Sequence, residues 1–200
     1  MGASQRVILI GGTSSLGKST LAAALSRRLG WPQRSTDTLA RHPGRPWPAE
    51  LVAARPHVEE HYRTLDVDQL MTSVLTHYRA TIWPLTTALL SEHVGPLVLE
   101  GSALLPELVA PLRRPGVSAV WLTGGDALIA ARIHAQSGYG EADAAGRALI
   151  DKFTARSQAF NTLTIAEVRR LGLAGIAVDE SSTVEALVDA CLERMAPPAG

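Results

Sequence analysis

The chain of 200 residues contains a single cysteine, Cys191, and no long hydrophobic run. One cysteine excludes an intramolecular disulfide, which favours a cytoplasmic location. The apolar run at the N-terminal end, Val7 to Ile10, is too short for a signal peptide or a membrane span, and no later run reaches the length needed. The sequence therefore predicts neither a membrane protein nor a membrane partner.

An excess of charge of either sign is also absent. Nineteen acidic residues balance nineteen basic residues, whereas proteins that bind nucleic-acid backbones usually carry a basic excess. This balance argues against nucleic acid as a partner. With 46% hydrophobic and 19% charged residues, the composition predicts one globular domain over residues 1–195 and a flexible tail at 196–200. The oligomeric state stays open, with a homodimer among the options.

Lysine is rare, since seventeen of the basic residues are arginine and only two are lysine. One of the two, Lys18, stands in the phosphate-binding motif G-x-x-x-x-G-K-[ST], between an apolar segment and a run of helix-forming residues. Backbone N–H groups of such a loop and of the following helix bind anions. Lys18 is expected to reach the β- and γ-phosphates of a nucleotide, and Ser19 to bind Mg²⁺. The predicted ATP-binding residues of the loop are Gly12, Thr13, Ser14, Ser15, Leu16, Gly17, Lys18, Ser19 and Thr20.

Short apolar segments alternate with helical patterns along the rest of the chain. The pattern predicts an α/β fold with a parallel sheet that is covered on both faces, and active groups in such a sheet gather at the carboxyl ends of the strands. A long amphipathic helix is predicted from an N-cap at Asp66 to about Val94, with a kink at Pro84. The predicted strands are 7–10, 33–36, 97–101, 117–122 and 175–178.

Two carboxylates follow predicted strands at that edge of the sheet. Asp37 is placed to accept a proton from an acceptor hydroxyl and to orient it for attack on the γ-phosphate, and the alternative is a cap for a short helix at Thr38. Glu100 ends an apolar run. It is predicted to contact Mg²⁺ through water or to bind the acceptor, and a salt bridge to a loop arginine is the alternative. The predicted catalytic residues are Lys18, Asp37 and Arg132, and the predicted metal ligands are Ser19 and Glu100.

Cations and an aromatic plane follow Asp37 in a proline-rich loop, residues 41–48. Guanidinium groups bind phosphates and carboxylates bidentately, so this loop is predicted to face the acceptor, within an acceptor-binding insertion at about 38–94. Solvated loop arginines are the alternative. His57, His61 and Tyr62 are further candidates for the same pocket. The predicted substrate-binding residues are Asp37, Arg41, His42, Arg45, Trp47, Glu100 and Gly101.

Arginines also flank a polar break in the helical pattern of the C-terminal half. Arg132 and Arg156 are predicted to reach ATP as parts of a mobile lid at about 132–157, which closes over the phosphates and excludes water. Arg147 and Lys152 lie in the same stretch, and a solvent-facing position is the simpler interpretation for both.

Together these residues resemble those of small P-loop kinases of the nucleoside-monophosphate-kinase type. The resemblance rests on the loop motif, on Ser35-Thr36-Asp37, on Leu99-Glu100-Gly101 and on Val178-Asp179. It implies a three-layer P-loop NTPase fold whose five parallel strands follow the order 2-3-1-4-5, with helices on both faces and an arginine-bearing helical lid. It also implies that the loop 179–182 packs against adenine, which adds Asp179 to the ATP-binding residues.

Within that group the chain is most similar to small-molecule kinases: the 2-phosphoglycerate kinase-like proteins, chloramphenicol phosphotransferase and the zeta-toxin kinases. In these proteins an aspartate in the position of Asp37 is proposed as the base. The resemblance implies transfer of the γ-phosphate of ATP, with Mg²⁺, to a hydroxyl of a small metabolite, sugar or antibiotic-like acceptor.

Two alternatives stay open, a nucleoside or nucleotide kinase and a non-catalytic nucleotide-binding regulator. The segment 100–104 stands where adenylate-kinase-like enzymes carry Asp-Gly-Phe-Pro-Arg, which argues against a nucleotide acceptor. A GTPase is not favoured, because the only asparagine, Asn161, is not followed by the lysine of a guanine-binding motif.

Overall fold

A parallel sheet of five strands forms the centre of the computed structural model, which describes residues 6–40, 42, 56–112 and 115–195. The strand order is β2-β3-β1-β4-β5, and all four strand pairs are parallel. This order is the predicted one. The strands are β1 (Val7–Gly12), β2 (Gln33–Ser35), β3 (Leu97–Glu100), β4 (Val117–Gly124) and β5 (Ala174–Val178).

Strand β1 is central and apolar on both faces. Ile8 and Ile10 point into a core layer on one side of the sheet, whereas Val7 and Leu9 belong to a second core layer on the other side. All four side chains are at most 3% exposed. Burial on both faces explains why this strand is a continuous apolar run and not an alternating pattern.

Helices cover both faces, as predicted. Side chains of α1, α6, α7 and α8 enter the core layer of Ile8 and Ile10, and side chains of α4, α5 and α7 enter the layer of Val7 and Leu9. No helix in the described parts of the chain is long and apolar enough to cross a membrane. The helices are α1 (Lys18–Leu29), α2 (Pro56–Thr64), α3 (Val67–His77), α4 (Trp83–Glu92), α5 (Pro106–Val109), α6 (Asp126–Ser137), α7 (Ala144–Arg170) and α8 (Val184–Met195).

The amphipathic helix predicted from Asp66 is interrupted. Asp66 does cap it, in a reciprocal pair of hydrogen bonds with Gln69. A π-helical turn at Tyr78–Ile82 then separates α3 from α4. The irregular turn ends at Ile82, two residues before Pro84, which has no N–H group to continue the helical hydrogen bonds. The prediction had placed a kink at Pro84 itself. The irregular hydrogen bonding lies instead in the turn before the proline.

Smaller differences concern the ends of elements. Thr36, predicted at the end of the second strand, instead starts a 3-10 turn, Thr36–Thr38. β4 extends to Gly124, two residues past the predicted end. The polar break of the C-terminal half is only six residues long, 138–143, because Gly138 adopts a left-handed conformation after α6 and Asp143 caps α7.

The close contact between β1 and the indole of Trp121 yields a prediction about stability. A Cβ atom at Gly11 would lie 2.4 Å from the Trp121 ring and 2.8 Å from the Leu104 carbonyl oxygen, which accepts the indole hydrogen bond. We expect Gly11→Ala to lower the free energy of unfolding by about 1–3 kcal/mol, as overpacking does. Urea denaturation measures it, with Gly140→Ala as the control, since nothing lies within 4 Å of a Cβ there. Equal midpoints for the two variants would contradict the packing described here.

Candidate active site

The carboxyl ends of β1, β2 and β3 open into a cavity of about 490 Å³. Its walls come from the loop between β1 and α1, the 3-10 turn after β2, the end of β3, the helices α3, α6 and α7, and the π-helical turn. The lining residues are Ser14, Ser15, Lys18, Ser19, Thr36, Asp37, Ala40, His42, Val74, His77, Tyr78, Ile82, Glu100, Ser102, Ala103, Ile133, Gln136, Ser137, Phe153 and Arg156.

The loop that begins at Gly12 has the conformation that its glycines permit. Gly12 and Gly17 have φ angles of 126° and 90°, and a Cβ atom at Gly12 would lie 2.4 Å from the Leu122 carbonyl oxygen. Ser15 is the one described non-glycine residue with a positive φ, 62°. Helix α1 starts at Lys18, directly after this loop. Its N-terminal N–H groups and the loop amides supply the partial positive charge that binds phosphate.

Lys18 is buried, with 8% of its surface exposed. Its Nζ donates a hydrogen bond of 2.6 Å to the Thr13 carbonyl oxygen. Burial lowers the pKa of Lys18, while the negative charges of Glu100 and Asp37 act in the opposite direction. Thr13 in turn donates through Oγ1 to the Ser157 carbonyl oxygen at 2.9 Å, which fastens the loop to α7.

Glu100 lies where three strand ends meet. In the sheet it is paired with Ile10 of β1 and with Ser35 of β2, and it is 3% exposed. No described arginine forms an ion pair with it, so Lys18 is the cation whose pKa reflects its charge. The salt bridge to Arg41 or Arg45 stays a prediction, because Arg41, Arg45 and Trp47 lie outside the described residues.

Asp37 lies in the 3-10 turn, and Ser35 rather than Asp37 caps that turn. The Ser35 hydroxyl accepts a hydrogen bond of 3.3 Å from the Asp37 N–H. Asp37 is therefore not needed as the cap of this turn. It lines the cavity. Gly101, with a φ of 153°, passes so close to the turn that a Cβ atom there would lie 1.8 Å from Thr36 Oγ1. Only glycine fits between β3 and this turn.

The two predicted lid arginines lie on different helices. Arg156 of α7 lines the cavity and is 8% exposed, its guanidinium carbon lies 4.8 Å from the centre of the Phe153 ring, and its buried Nε has no hydrogen-bond partner among the described residues. Arg132 of α6 donates to the Ser15 carbonyl oxygen at 3.4 Å but is not a lining residue. It therefore touches the outside of the loop.

Two other cations of this region hold the scaffold. Lys152 Nζ donates to the carbonyl oxygens of Tyr62 and Leu65, both at 2.8 Å, and thereby ties α7 to the end of α2. Arg147 donates to the carbonyl oxygens of Tyr139 and Gly140 in the connection from α6 to α7. Arg147 remains exposed, in keeping with a solvent-facing position, whereas Lys152 is half-buried and its ammonium group is held by these hydrogen bonds.

Asp179, predicted near adenine, is exposed and does not line the cavity. Its carboxylate accepts hydrogen bonds from Ser181 N and Oγ and from Ser182 Oγ, at 2.7–2.9 Å. The hydrogen bonds from Ser181 and Ser182 lower the pKa of Asp179. Asp179 therefore shapes the turn that follows β5, and its contact with a nucleotide stays a prediction.

Three histidines come together beside Arg156. The His42 ring lies 5.0 Å from that of His77 on α3 and 5.3 Å from that of His61 on α2, measured between centroids. Burial, the two neighbouring rings and Arg156 lower the pKa of His42 to about 4, and burial also lowers the pKa values of His61 and His77. We call His42, His61 and His77 the histidine cluster.

Sequence reasoning missed several lining residues. Val74, Tyr78 and Ile82 had been predicted only as the apolar face of a helix, and His77 and Phe153 had not been singled out. Helical spacing identifies the buried face of α3 but does not distinguish packing against a core from lining a cavity. The sequence had indicated His42 and His61 for this pocket, but the approach of His77 from α3 is a contact across the chain that spacing does not predict.

Comparison with known proteins places the fold. No protein-family model matches the chain, and no curated protein matches it by sequence. Among solved structures, a gluconokinase from Sinorhizobium meliloti 1021 is 20% identical with a TM-score of 0.54, over 96% of this chain and 91% of that one. A deoxyadenosine kinase from M. mycoides with bound dATP is 15% identical with a TM-score of 0.53, over 94% and 98%. A shikimate kinase from Aquifex aeolicus is 16% identical with a TM-score of 0.51, over 94% and 95%.

The depressed pKa of His42 predicts how stability depends on pH. Its folded pKa of about 4 lies below the usual 6.5, so the unfolded chain binds a proton first as the pH falls. The contribution of His42 is fully present above about pH 6.5 and is lost toward pH 4, and His61 and His77 act in the same direction.

We therefore expect His42→Gln to lose less stability than the wild type between pH 7 and pH 5, measured as the shift of the urea midpoint. The exposed His57 supplies the control variant His57→Gln. Parallel loss of stability in the wild type and in His42→Gln would contradict a neutral, half-buried His42.

Proposed function

We propose that the chain, which has the fold of the P-loop small-molecule kinases with which it was compared, is an ATP- and Mg²⁺-dependent kinase. It would transfer the γ-phosphate of ATP to a hydroxyl of a small-molecule acceptor. One observation carries the proposal. The phosphate-binding loop, Lys18 and the carboxylates of Asp37 and Glu100 belong to one cavity whose volume, about 490 Å³, suits a small molecule.

The loop residues, 12–20, would bind the phosphates through their backbone N–H groups. Lys18 Nζ already points at the concave side of the loop, on the Thr13 carbonyl oxygen. A phosphate oxygen is a better partner for an ammonium group than a carbonyl oxygen, because the hydrogen bond is then charge-assisted on both sides. If Lys18 Nζ exchanged its hydrogen bond to Thr13 for one to a phosphate oxygen, its charge would lie against the β- and γ-phosphates.

Mg²⁺ fits the residues at the same edge. Glu100 is a buried carboxylate without a described arginine partner, and the hydroxyl-bearing Ser19 lines the same cavity. Both offer the oxygen ligands that Mg²⁺ prefers. No group of three or more acidic, histidine or cysteine side chains among the described residues makes a metal cage of its own. Such a sparse set suits Mg²⁺, which takes its other ligands from water and phosphate. The metal would neutralise charge on the phosphates, and Ser19 and Glu100 would hold it.

Asp37 would orient the acceptor and accept its hydroxyl proton. The charge of Asp37 affects the pKa of Lys18, so Asp37 lies near Lys18 and near the expected position of the γ-phosphate. Among the described residues, Arg156 is the arginine that lines the cavity, and Arg132 supports the loop through its hydrogen bond to the Ser15 carbonyl oxygen. The lid at about 132–157 remains part of this proposal, with α6 and α7 as its helices.

We predict that Asp37→Asn lowers kcat by on the order of a hundredfold or more and leaves the KM for ATP nearly unchanged, as expected for a general base that does not bind the nucleotide. ADP formation in an acceptor screen of sugars, sugar acids, nucleosides and antibiotics measures the activity. Asp189→Asn, an exposed position on α8, is the matched control. Unchanged kcat for Asp37→Asn would remove Asp37 from the chemistry. A screen without ADP formation above background, with wild-type protein that binds MgATP, would favour the regulator.

A further inference from the structure

The cavity has two chemically different parts. Burial lowers the pKa of Lys18, and the negative charges of Glu100 and Asp37 act in the opposite direction, whereas the pKa of His42 is lowered by burial, by its histidine neighbours and by Arg156. Arg156 lines the same cavity, and its charge lowers the pKa of both Lys18 and His42. Phosphoryl transfer explains the carboxylates and Lys18. It gives no reason for the three histidines.

Three buried side-chain nitrogens of this second part, on Arg156, His61 and His77, have no hydrogen-bond partner among the described residues. Arg156 is 8% exposed, and its Nε has no hydrogen-bond partner among the described residues. The same is true of Nε2 of His77, which lines the cavity, and of Nε2 of His61. A guanidinium is always charged, and burying it without an anion is costly. The Phe153 ring lies against one side of the Arg156 guanidinium, whose central carbon is 4.8 Å from the ring centre. The arrangement is therefore prepared for an acceptor of hydrogen bonds that carries negative charge.

No carboxylate of the described residues is hydrogen-bonded to these nitrogens of Arg156, His61 and His77. The histidine cluster is surrounded by Ser73, whose Oγ lies 3.2 Å from His42 Nε2, and by the rings of Tyr62 and Tyr78. Burial lowers the pKa values of all three histidines; Arg156 adds to the shift of His42 and His61, and the neighbouring rings add to that of His42 alone. The acidic residues of α2, Glu59 and Glu60, are exposed, and Glu60 pairs with Arg63.

We propose that the acceptor is itself an anion, a small hydroxylated molecule whose carboxylate or phosphate group is bound by Arg156 and His77, with uptake of one proton by the histidine cluster. This inference rests on the proposed function, because it names the class of acceptor for the same cavity. It leaves the hydroxyl of the acceptor for the part that holds Asp37.

Proton uptake follows from charge. In the free protein the imidazoles are neutral, because a protonated imidazole would be repelled by its neighbours and by Arg156. A bound anion supplies the missing negative charge, so an imidazole nitrogen binds a proton from solvent and becomes a second donor to the anion. If one proton is taken up, the dissociation constant of the anion falls by up to about tenfold for each pH unit of acidification, between the pKa values of the bound and the free protein. A neutral acceptor would show no such dependence.

The first experiment needs no turnover and uses sulfate, which does not titrate in this range. Ring signals of the six histidines of the full chain are followed by NMR from pH 8 to pH 4, with and without sulfate. We expect sulfate to raise the pKa of His42, His61 or His77 by one unit or more and to leave the signal of His93, which contacts the Pro96 carbonyl oxygen, unchanged. In Arg156→Gln and His77→Gln the rise should disappear.

Two results of that experiment would overturn the inference. One is the absence of any rise in the cluster at high sulfate concentration. The other is a rise that persists in both variants, which would assign the sulfate to the phosphate-binding loop. Thermal melts of both variants check that they are folded, and Arg156→Lys, which keeps the charge, should retain part of the rise.

The second experiment distinguishes a carboxylate acceptor from a phosphate acceptor. It also tests the anion site separately from the kinase activity. Binding of glycerate, glycerol 2-phosphate and glycerol is measured by calorimetry at two pH values. Preference for either anion over glycerol by tenfold or more, with tighter binding at the lower pH, supports the inference, and the tighter anion identifies carboxylate or phosphate. Glycerol binding as tightly as both anions would overturn it even if ADP is formed. Conversely, a sulfate-dependent pKa rise without ADP formation from any acceptor would leave the anion site standing and reject the kinase.

Discussion

The buried ammonium group of Lys18 is the element on which the arrangement of the site depends. A cation that is 8% exposed needs fixed polar partners. They come from three places: the Thr13 carbonyl oxygen, 2.6 Å away, and the charges of Glu100 and Asp37. These residues follow β1, end β3 and follow β2, which are neighbours in the sheet. The strand order thus assembles the charges before any ligand is considered.

The same topology explains why the cavity has two characters. The sheet edge supplies Lys18, Asp37 and Glu100, which suit phosphates, Mg²⁺ and a hydroxyl. The helices that cover this edge, α2, α3 and α7, supply histidines and Arg156, which suit an anion. Chemistry and selectivity would then reside on different elements.

The sequence was sufficient for those parts of the fold that depend on local chemistry. The phosphate-binding loop, the burial of β1 and the cap at Asp66 all depend on residues within one short segment. The five-strand order came from the resemblance, because spacing along the chain does not fix which strands are neighbours. The π-helical turn before Pro84 was missed, since a proline predicts a disturbance but not the turn that absorbs it.

The site was predictable where it follows strand ends and unpredictable where it depends on contacts across the chain. Asp37 and Glu100 could be named because parallel strands end at one edge. Lys152 and Arg156 are four residues apart on α7, yet one binds backbone carbonyls at the end of α2 and the other lines the cavity. Their different roles depend on how α7 crosses α2, and the sequence of α7 does not contain that information.

The central claim is that the loop from Gly12 to Thr20 holds a triphosphate whose outer end faces Asp37. A crystal structure with Mg²⁺ and a non-hydrolysable ATP analogue tests it most directly. The account predicts that the phosphates lie on the loop amides, that Lys18 Nζ moves from the Thr13 carbonyl oxygen to the β- and γ-phosphates, and that the γ-phosphate lies beside Asp37. An analogue bound elsewhere, or a Lys18 that keeps its hydrogen bond to Thr13 with the analogue present, would contradict it.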